Sequence, residues 1–485
     1  VDSPFDKVKY KALLDGLEAV ELKLSEVLED NETLRIDSEY FKKSLIDFYK
    51  NISDFEKLGS FVKSGYRVVY ENTKILNISK EDEHLYTRFL QASDLLTPEI
   101  IMDNIGFVDN SDWERYPKGR IEKGELLIEV KGKAEKVAIV YDDIPEKILV
   151  SGSLFKLKVN NKILREYLLA FLLCKYGSMF KDRSKTNLLI SYISKPDLYN
   201  IPIPSVSNKF QNEISKLIKQ SHIVLKESKI LYKEAEELLL KELDLVDFTP
   251  KNENIAIKSF KDSFMQTGRL DSEYYQTKYD EIEKIISEQR SFTYIKNEFN
   301  HIKTSFDKSK NGYNYIEIGN VNVSDGTNVF NYVETQVLPA NAKINVKNGD
   351  LLVSTVRPYR GAVTIIDTSE NDLIVSGAFT VLRKKENSKI NTQVLQVLLR
   401  TNIYKELLLK YNVGTSYPVI KDDDVLNLVI PIIDISIQNR IEEKIKKSFL
   451  LKEESKRLLD LAKKAVEIAI EKDENEAVEF INEQI

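Results

Sequence analysis

The sequence has few of the residues that support metal and disulfide chemistry. Its 485 residues include one cysteine, three histidines and one tryptophan. A single cysteine cannot form an internal disulfide, which suits a reducing compartment. The histidines, His84, His222 and His301, lie far apart, with no cysteine or histidine at metal-ligand spacing, so we expect no bound metal. Cys174 lies within an apolar run, where we expect a buried, unreactive thiol.

Long hydrophobic runs and an excess of positive charge are also missing. The longest apolar run, residues 167–174, is too short to cross a bilayer, and no charged-then-apolar leader opens the sequence. We therefore expect a cytoplasmic protein that makes no membrane contact. The net charge of −6 argues against non-specific coating of nucleic acid, which needs a broad basic surface, but leaves local basic patches open. The length predicts two to four domains.

An internal repeat is the strongest feature of the sequence. Four segments recur in the same order, at offsets of 269 − 35 = 234, 349 − 124 = 225 and 431 − 204 = 227. Chance does not explain four collinear matches at a nearly constant offset, so the chain contains the same unit twice. The matched segments are 35–41 with 269–275, 124–128 with 349–353, 149–152 with 374–377, and 200–204 with 427–431.

Each copy has a predicted β-rich region followed by predicted helices. Short apolar runs separated by Gly, Asn and Asp predict a small β-rich region over about 55–160, and again over about 295–385. Helices are then predicted near 166–177 and 392–408. After a proline-containing exit strand, each copy continues into a long charged helix, over about 208–243 and 435–472.

The two long helices carry a heptad-like seam. In the first helix Ile214, Leu217, Ser221, Val224, Ser228, Leu231, Ala235 and Leu238 are three and four residues apart. Adding 227 gives Ile441, Lys444, Ser448, Leu451, Ser455, Leu458, Ala462 and Ala465 in the second helix. Small residues at every seventh position allow close approach, so we expect the helices to pair antiparallel within one molecule. The alternative is two separate helices lined by solvent.

These patterns predict an α+β chain with an internal pseudo-two-fold repeat. Two tandem mixed α/β domains are joined by two long helices that form an antiparallel coiled coil. The predicted segments are an N-terminal helical segment (1–33), a first domain (34–206), a central long helix (207–246), a second domain (247–433) and a distal long helix with a tail (434–485).

This layout resembles the specificity subunits of type I restriction–modification systems, and the related subunits of two-subunit type II systems, over nearly the whole chain. The motifs that carry the resemblance are Gly-Asp-Leu-Leu at 349–352, the Arg/Gly loop at 357–361, and Ile-Pro-Ile-Pro at 201–204 before Gln211. The first copy departs from the pattern, with Gly-Glu-Leu-Leu at 124–127 and a lysine-rich loop at 131–136. We therefore expect the two domains to contact different bases.

The resemblance implies two target-recognition domains that contact double-stranded DNA, and a coiled coil that acts as a ruler between two half-sites. A helix of about 36 residues is roughly 54 Å long, which corresponds to between one and two DNA turns of roughly 34 to 36 Å. The resemblance also implies partners: two adenine methyltransferase subunits, which would hold the S-adenosylmethionine, and a restriction or translocase subunit. We expect no cofactor on this chain.

The predicted DNA contacts lie in two loops of each copy. Arg357, Tyr359 and Arg360 combine planar bidentate donors with a rigid ring, which suits phosphate clamping and contact with guanine edges. Lys131, Lys133 and Lys136 occupy the corresponding loop, where a point charge suits phosphate. Weaker predictions, before the exit strands, are Lys185, Asn187, Ser416 and Tyr417. In each case the alternative is an ordinary turn or a surface loop with solvated charges.

Catalytic signatures are weak. Glu129 and Lys131 mimic the Glu-x-Lys half of a metal-dependent nuclease, but the repeat places Ser354 and Val356 at those positions. No Asn-Pro-Pro-Tyr type tetrapeptide of an adenine methyltransferase is present. Adjacent Asp, Ser and Glu in the segments 37–40 and 271–274 predict helix starts rather than a site. We therefore expect no catalytic residue on this chain.

Two other functions remain open from the sequence. The first is a duplicated scaffold that binds proteins through its coiled coil, with passive loops, and salt-dependent DNA affinity would separate it from a specificity subunit. The second is an enzyme with a dispersed nuclease site, which would need magnesium-dependent cleavage by the chain alone.

Overall fold

The computed structural model describes residues 6–18, 20–28, 31, 34–38, 40–51, 54–76, 78, 82–102, 105–145, 147–185, 191–251, 253, 255–288, 291–413 and 417–485. The chain forms two compact units. The first unit is Val1–Ile223 with Glu454–Ile485, and the second is Val224–Glu453. None of the helices in the described ranges is long and apolar enough to span a membrane.

The first unit contains short helices and strands followed by the start of a long helix. The helices are α1 (Lys7–Leu14), α2 (Leu24–Leu28), α3 (Lys43–Asn51), α4 (Asn110–Arg115), α5 (Arg165–Leu173), α6 (Lys175–Arg183), α7 (Lys195–Tyr199) and α8 (Asn208–Glu242), the last of which continues into the second unit. The strands are β1 (Phe55–Lys57), β2 (Val62–Tyr66), β3 (Thr87–Leu90), β4 (Leu95–Leu96), β5 (Glu99–Ile100), β6 (Gly106–Val108), β7 (Leu126–Glu129), β8 (Val137–Ile139), β9 (Ile148–Val150), β10 (Leu154–Val159) and β11 (Pro202–Pro204).

Small sheets organise this unit. A four-stranded antiparallel sheet has the order β2-β10-β7-β8, and a three-stranded sheet has the order β6-β3-β9, in which β3 and β9 run parallel. Strands β7, β8 and β9 are buried along their whole length, so they form the core of the unit. The exit strand β11 pairs with β1, and β4 pairs with β5.

The second unit repeats this plan. Its helices are α9 (Phe264–Thr267), α10 (Thr277–Glu288), α11 (Ile295–Glu298), α12 (Thr392–Arg400), α13 (Asn402–Leu409), α14 (Asp422–Leu426) and α15 (Ile435–Glu471), which continues into the first unit and is followed there by α16 (Glu474–Gln484). Its strands are β12 (Phe292–Tyr294), β13 (Phe299–Ile302), β14 (Gly312–Ile316), β15 (Asn331–Glu334), β16 (Ala342–Val346), β17 (Leu351–Ser354), β18 (Val363–Ile365), β19 (Leu373–Ser376), β20 (Phe379–Lys384) and β21 (Val429–Pro431).

The sheet orders of the two units correspond. The sheet β13-β20-β17-β18 has the same order as β2-β10-β7-β8, and the parallel pair β14 and β19 matches β3 and β9. The second unit adds strand β16 beside β19, where Asn345 pairs with Ile374. The first unit has only an isolated bridge between Arg120 and Leu149 at the same repeat positions. The internal repeat of the sequence is therefore a repeat of structure.

The repeated Gly-acid-Leu-Leu motif is a turn into the central strand. Gly124 and Gly349 have φ of 85° and 87°, a left-handed conformation that favours glycine. The buried carboxylate that follows accepts a backbone N–H three residues upstream, from Glu122 to Glu125 at 2.8 Å, and from Lys347 to Asp350 at 3.0 Å. This motif shapes the fold and does not itself provide a surface contact.

The glutamines after the exit strands are also structural. The Gln211 side chain accepts the backbone N–H of Leu164 at 2.9 Å, immediately before α5. In the second unit Gln438 accepts the N–H of Asn391 at 2.8 Å, immediately before α12. Each glutamine thus ties the start of a long helix to the start of a buried helix in the same unit, by satisfying an otherwise unpaired donor.

The long helices pair antiparallel in each unit. In the first unit the Ser221 hydroxyl donates to the Ser455 carbonyl oxygen at 2.8 Å. In the second unit the Ser228 hydroxyl donates to the Ser448 carbonyl oxygen at 2.7 Å. Ala235 and Ala462 of the predicted seam are completely buried. Small side chains at these positions let the two backbones approach within hydrogen-bonding distance of a hydroxyl group.

The predicted α+β fold class, with two mixed domains and long paired helices, is confirmed. The predicted helix bounds near 208–243 and 435–472 agree with Asn208–Glu242 and Ile435–Glu471. The five predicted segments stay a prediction; they keep each long helix whole, whereas the structure divides each helix between the two units.

The predicted starts of α-helices at 37–40 and 271–274 are wrong, although Asp271 stands at the N-cap position of a short 3-10 helix. Helix α3 begins at Lys43 and α10 at Thr277, while 272–275 form a short 3-10 helix. The carboxylates of Asp37 and Asp271 each form a bidentate ion pair with the arginine two residues before them, and that of Asp37 also accepts the Tyr40 N–H at 3.2 Å.

Candidate nucleic-acid interface

The hairpin loop between β17 and β18 holds the arginine-rich motif of the second unit. Pro358–Arg360 form one 3-10 turn, which Gly361 ends with φ of 72°. Arg357 precedes the turn with φ of 48°, a left-handed conformation that L residues other than glycine rarely adopt. Tyr359 is 39% exposed and Arg360 is also exposed. The loop therefore presents a ring and a cation at the surface.

A second loop, before α14, lies against this hairpin. The Arg357 N–H donates to the Pro418 carbonyl oxygen at 2.8 Å, and the Ile420 N–H donates to the Thr355 carbonyl oxygen at 2.9 Å. The Arg357 guanidinium carbon lies 4.6 Å from the centre of the Tyr417 ring, within cation–π range. Two residues predicted separately, Arg357 and Tyr417, are therefore in contact.

The first unit joins its two loops by the same pair of backbone hydrogen bonds. The Gly132 N–H donates to the Ser191 carbonyl oxygen at 2.9 Å, and the Ile193 N–H donates to the Val130 carbonyl oxygen at 2.8 Å. The donor and acceptor positions match those of the second unit at offsets of 357 − 132 = 225 and 418 − 191 = 227. Gly132 has φ of 84°, so the repeat keeps a left-handed residue at this point whether it is glycine or Arg357.

The lysines of the first unit divide into two kinds. Lys131 and Lys133 are exposed on the hairpin loop. The Lys136 ammonium donates to the Ala92 carbonyl oxygen at 2.7 Å, and the Lys185 ammonium pairs with Asp182 at 2.5 Å. Lys136 and Lys185 therefore have protein partners already, whereas the first two present their charge at the surface.

Two predicted residues, Asn187 and Ser416, lie outside the described residues.

Buried charges hold the hairpin loop of the first unit. The Glu129 carboxylate is 7% exposed and accepts the N–H groups of Glu135 at 3.0 Å and Lys136 at 3.3 Å. The Lys181 ammonium donates to the Glu135 carbonyl oxygen at 2.9 Å, and burial lowers the pKa of Lys181 to about 8. Glu129 thus shapes the loop, and within the described residues no three His, Cys, Asp or Glu side chains are grouped to hold a metal ion.

Arg400 plays the corresponding part in the second unit. Its guanidinium donates to the carbonyl oxygens of Gly361 at 2.8 Å and Val323 at 3.0 Å, and to the Tyr232 hydroxyl on α8 at 2.6 Å. The sequence did not predict a role for Arg400 or Lys181. The sequence signal for Arg400 was a charged residue in the mostly apolar helix α12, and for Lys181 a charged residue near the end of α6. Charged residues are seldom buried unless they are paired.

Curated proteins that are similar to this chain in sequence are specificity subunits of type I restriction enzymes. No protein-family model matches the sequence. The chain is 26% identical over 333 residues to the type I restriction enzyme MjaVIII specificity subunit of Methanocaldococcus jannaschii, covering 66% of this chain and 73% of that protein. It is 30% identical over 106 residues to the type I restriction enzyme HindI specificity subunit of Haemophilus influenzae, covering 21% and 23% of the two chains.

Solved structures of the same kind were also matched. The S subunit of a type I restriction–modification system from M. genitalium has a TM-score of 0.42 and 13% identity, covering 87% of this chain and 96% of that one. The HsdS subunit from Thermoanaerobacter tengcongensis has a TM-score of 0.27 and 14% identity, covering 87% and 97%.

The chain is thus a duplicated α+β protein whose two units each join a hairpin loop to a second loop and share a pair of long helices. It is similar in sequence to the specificity subunit of one type I restriction enzyme over 66% of its length, and to that of another over 21%.

Proposed function

We propose that this chain is the DNA-recognition specificity subunit of a restriction–modification system. The observation that carries the proposal is the duplicated loop pair, in which the same two backbone hydrogen bonds join the hairpin loop to the second loop in both units. The sequence relatives, which are specificity subunits, support the same function. Each unit would contact one half of a bipartite target.

The chemistry of the second unit suits contact with DNA. Arginine presents its donors in a planar fork that fits guanine O6 and N7 in the major groove or a phosphate on the backbone. Stacking on Tyr417 restricts the Arg357 guanidinium before DNA arrives, which lowers the entropy lost on binding. The Arg357 Nε is buried and has no hydrogen-bond partner among the described residues. A residue other than glycine in the left-handed region supports a functional demand on this position.

The two units would recognise different half-sites. Gly132 stands in the first unit where Arg357 stands in the second, and the exposed cations of the first loop are Lys131 and Lys133. Lysine is a flexible point charge that suits phosphate, whereas the arginine fork suits a base edge. The bipartite target would therefore be asymmetric, with a gap that the paired helices set.

Catalysis would belong to partner chains. Two adenine methyltransferase subunits would dock on the paired helices and hold S-adenosylmethionine, and a restriction or translocase subunit would join them. The duplication supports two copies of one methyltransferase, since a repeated surface offers the same partner two equivalent places. The chain would determine the DNA sequence at which the reaction occurs and would supply no catalytic group.

The experiment that tests the proposal is co-expression of the chain with an adenine methyltransferase encoded beside it, followed by mapping of methylated adenines in the host genome. We expect a complex of the two proteins and methylation at a split motif with a fixed gap. Methylation at a continuous motif would contradict two half-sites.

If a complex forms without sequence-specific methylation, the chain is a protein-binding scaffold instead. DNA binding by the complex at increasing salt separates the two functions, because phosphate contacts give a steep fall in affinity with salt. A scaffold with passive loops would bind DNA weakly and without preference for any duplex.

A further inference from the structure

Each of the repeated segments at 35–41 and 269–275 contributes an arginine, an aspartate and a tyrosine to a set of contacts that we call the clamp. Its residues are Arg35, Asp37 and Tyr40 in the first unit, and Arg269, Asp271 and Tyr274 in the second. The proposed function gives the clamp no role. In the first unit the Arg35 guanidinium pairs with both carboxylate oxygens of Asp37, at 2.8 and 2.9 Å. Its remaining nitrogen, Nη1, donates to the carbonyl oxygens of Arg183 and Lys185, each at 2.9 Å. One side chain thus connects residues that are about 150 positions apart in the sequence.

An aromatic ring completes the clamp. The Tyr40 ring contacts two cations, with the guanidinium carbon of Arg35 at 4.9 Å and that of Arg183 at 4.0 Å from its centre. Each contact is within the distance at which a cation is attracted to the face of a ring. The Arg35 guanidinium is therefore held by two groups, the Asp37 carboxylate and the Tyr40 ring.

The second unit has the same clamp. Arg269 pairs with both carboxylate oxygens of Asp271, at 2.9 and 2.6 Å, and donates to the carbonyl oxygens of Tyr411 at 3.1 Å and Asn412 at 2.9 Å. The centre of the Tyr274 ring is 4.6 Å from the guanidinium carbon of Arg269 and 5.3 Å from the ammonium of Lys410. Chemistry and geometry are both repeated, although the flanking sequences differ.

The position of the clamp suggests its purpose. Helix α6 ends at Arg183 and α13 ends at Leu409, so the clamped carbonyl groups lie at or just beyond the ends of these helices. Carbonyl groups at a helix end lack intrahelical partners and need other donors. The chain leaves each clamp directly into the second loop of its unit, the loop that lies against the hairpin at Ser191 or Pro418.

We propose that Arg35 and Arg269 are positioning residues for DNA recognition, each fixing the start of the second loop in its own unit. The inference rests on the proposed function, because it assigns these loops to DNA contact. Arginine is required since a single planar group must pair with a carboxylate and still reach backbone carbonyls, which a lysine ammonium cannot do in this geometry.

The test uses the full chain in its methyltransferase complex and a duplex with the mapped split target. The variants are Arg35→Gln and Arg269→Gln, with Arg35→Lys and Arg269→Lys as milder changes. The matched control is Arg120→Gln, because Arg120 also pairs with a carboxylate, that of Glu114 at 3.2 Å, and donates to a carbonyl oxygen, that of Trp113 at 2.7 Å, but both partners lie on α4.

We expect Arg269→Gln to lower discrimination against base changes in one half-site by roughly tenfold, the size of the loss of one base contact. Arg35→Gln should do the same for the other half-site only, and Arg120→Gln should change neither. Hydrogen exchange of the free complex should show faster exchange at 411–413 and 417–420 in Arg269→Gln, and at 184–185 and 191–193 in Arg35→Gln. A general loss of stability would affect both half-sites together.

Unchanged discrimination in a folded Arg269→Gln complex overturns the inference, even if the loop exchanges faster. If a glutamine variant does not fold, the lysine variant decides by the same measurement, since it keeps the charge and loses the fork. Failure of the proposed function is distinguishable, because the unaltered complex would then show no split target, and the clamp would have no recognition to support.

Discussion

Ser228 and Ser448 exchange hydroxyl-to-carbonyl hydrogen bonds across the two long helices. The Ser228 hydroxyl donates to the Ser448 carbonyl oxygen at 2.7 Å, and the Ser448 hydroxyl donates to the Ser228 carbonyl oxygen at 2.8 Å. Each buried hydroxyl thereby has a hydrogen-bond acceptor within the protein. A larger side chain at either position would occupy the space of the opposite backbone.

Replacing these serines with leucine tests the helix pairing. Ser228→Leu and Ser455→Leu should each lower the melting temperature clearly, because overpacking a close contact costs about 1 to 3 kcal/mol. Calorimetry of the full chain measures the effect. Lys456→Leu, an exposed site on the same helix as Ser455, is the control and should leave the melting temperature nearly unchanged. An unaltered melting temperature in both serine variants would contradict the pairing.

Arg357→Gly separates recognition from stability. Glycine should relieve about 1 kcal/mol of left-handed strain, which offsets a loss of about 0.5 to 1 kcal/mol from the contact with Tyr417. We expect a melting temperature close to that of the unaltered chain and a clear fall in affinity for the target. Titration of the specific duplex, with Lys456→Ala as a charge control, measures the affinity. Unchanged affinity would show that Arg357 does not contact DNA.

The lysines of the first unit should differ in their effect on the salt dependence of DNA binding. Lys131→Ala and Lys133→Ala should each lower the slope of log affinity against log salt by about 1, the loss of one phosphate contact. Lys136→Ala and Lys185→Ala should leave the slope nearly unchanged, because their ammonium groups already have protein partners. Equal slopes for all four variants would contradict this division.

Lys181 should make stability depend on pH. Burial lowers its pKa to about 8 from an ordinary value of 10.5, so between these values the unfolded chain binds more protons than the folded chain. Stability from this group therefore rises as the pH increases from about 8 to 10.5, by about 3 kcal/mol at 1.36 kcal/mol per pKa unit.

Lys181→Met should remove this rise. Denaturant unfolding at pH 7.5, 9 and 10 measures the difference in unfolding free energy between the variant and the unaltered chain, and we expect that difference to shift in favour of the unaltered chain as pH increases. Lys158→Met is the control, because the ion pair with Glu122 raises the pKa of Lys158 and gives no such rise in this range. A difference that stays constant with pH would contradict a lowered pKa at Lys181.

The sequence alone predicted the repeat, the fold class and the bounds of the long helices. These features depend on local periodicity and on residues that recur at equivalent positions of the repeat, such as Ser221 and Ser448. Periodicity and recurrence are both visible in a single sequence. The sequence also indicated Arg357 and Tyr417, but as two separate candidates.

What the sequence could not predict depends on contacts between distant residues. The stacking of Arg357 on Tyr417 joins positions 60 residues apart, and the backbone bonds that align them involve groups that every residue carries. Arg400 and Lys181 act through carbonyl groups of other segments. The segment after Arg35 was misinterpreted as a helix start because Asp and Ser favour helix caps, whereas its aspartate is held by an arginine.

The serine pairs have a consequence for the origin of the chain. Ser221 and Ser448 occupy one position of the repeat, and Ser228 and Ser455 occupy another, so each pair joins the same two positions in opposite order. The contact is self-complementary under exchange of the repeats. Duplication of one ancestral half would therefore have created both pairs at once, with no need for matching surfaces to evolve separately.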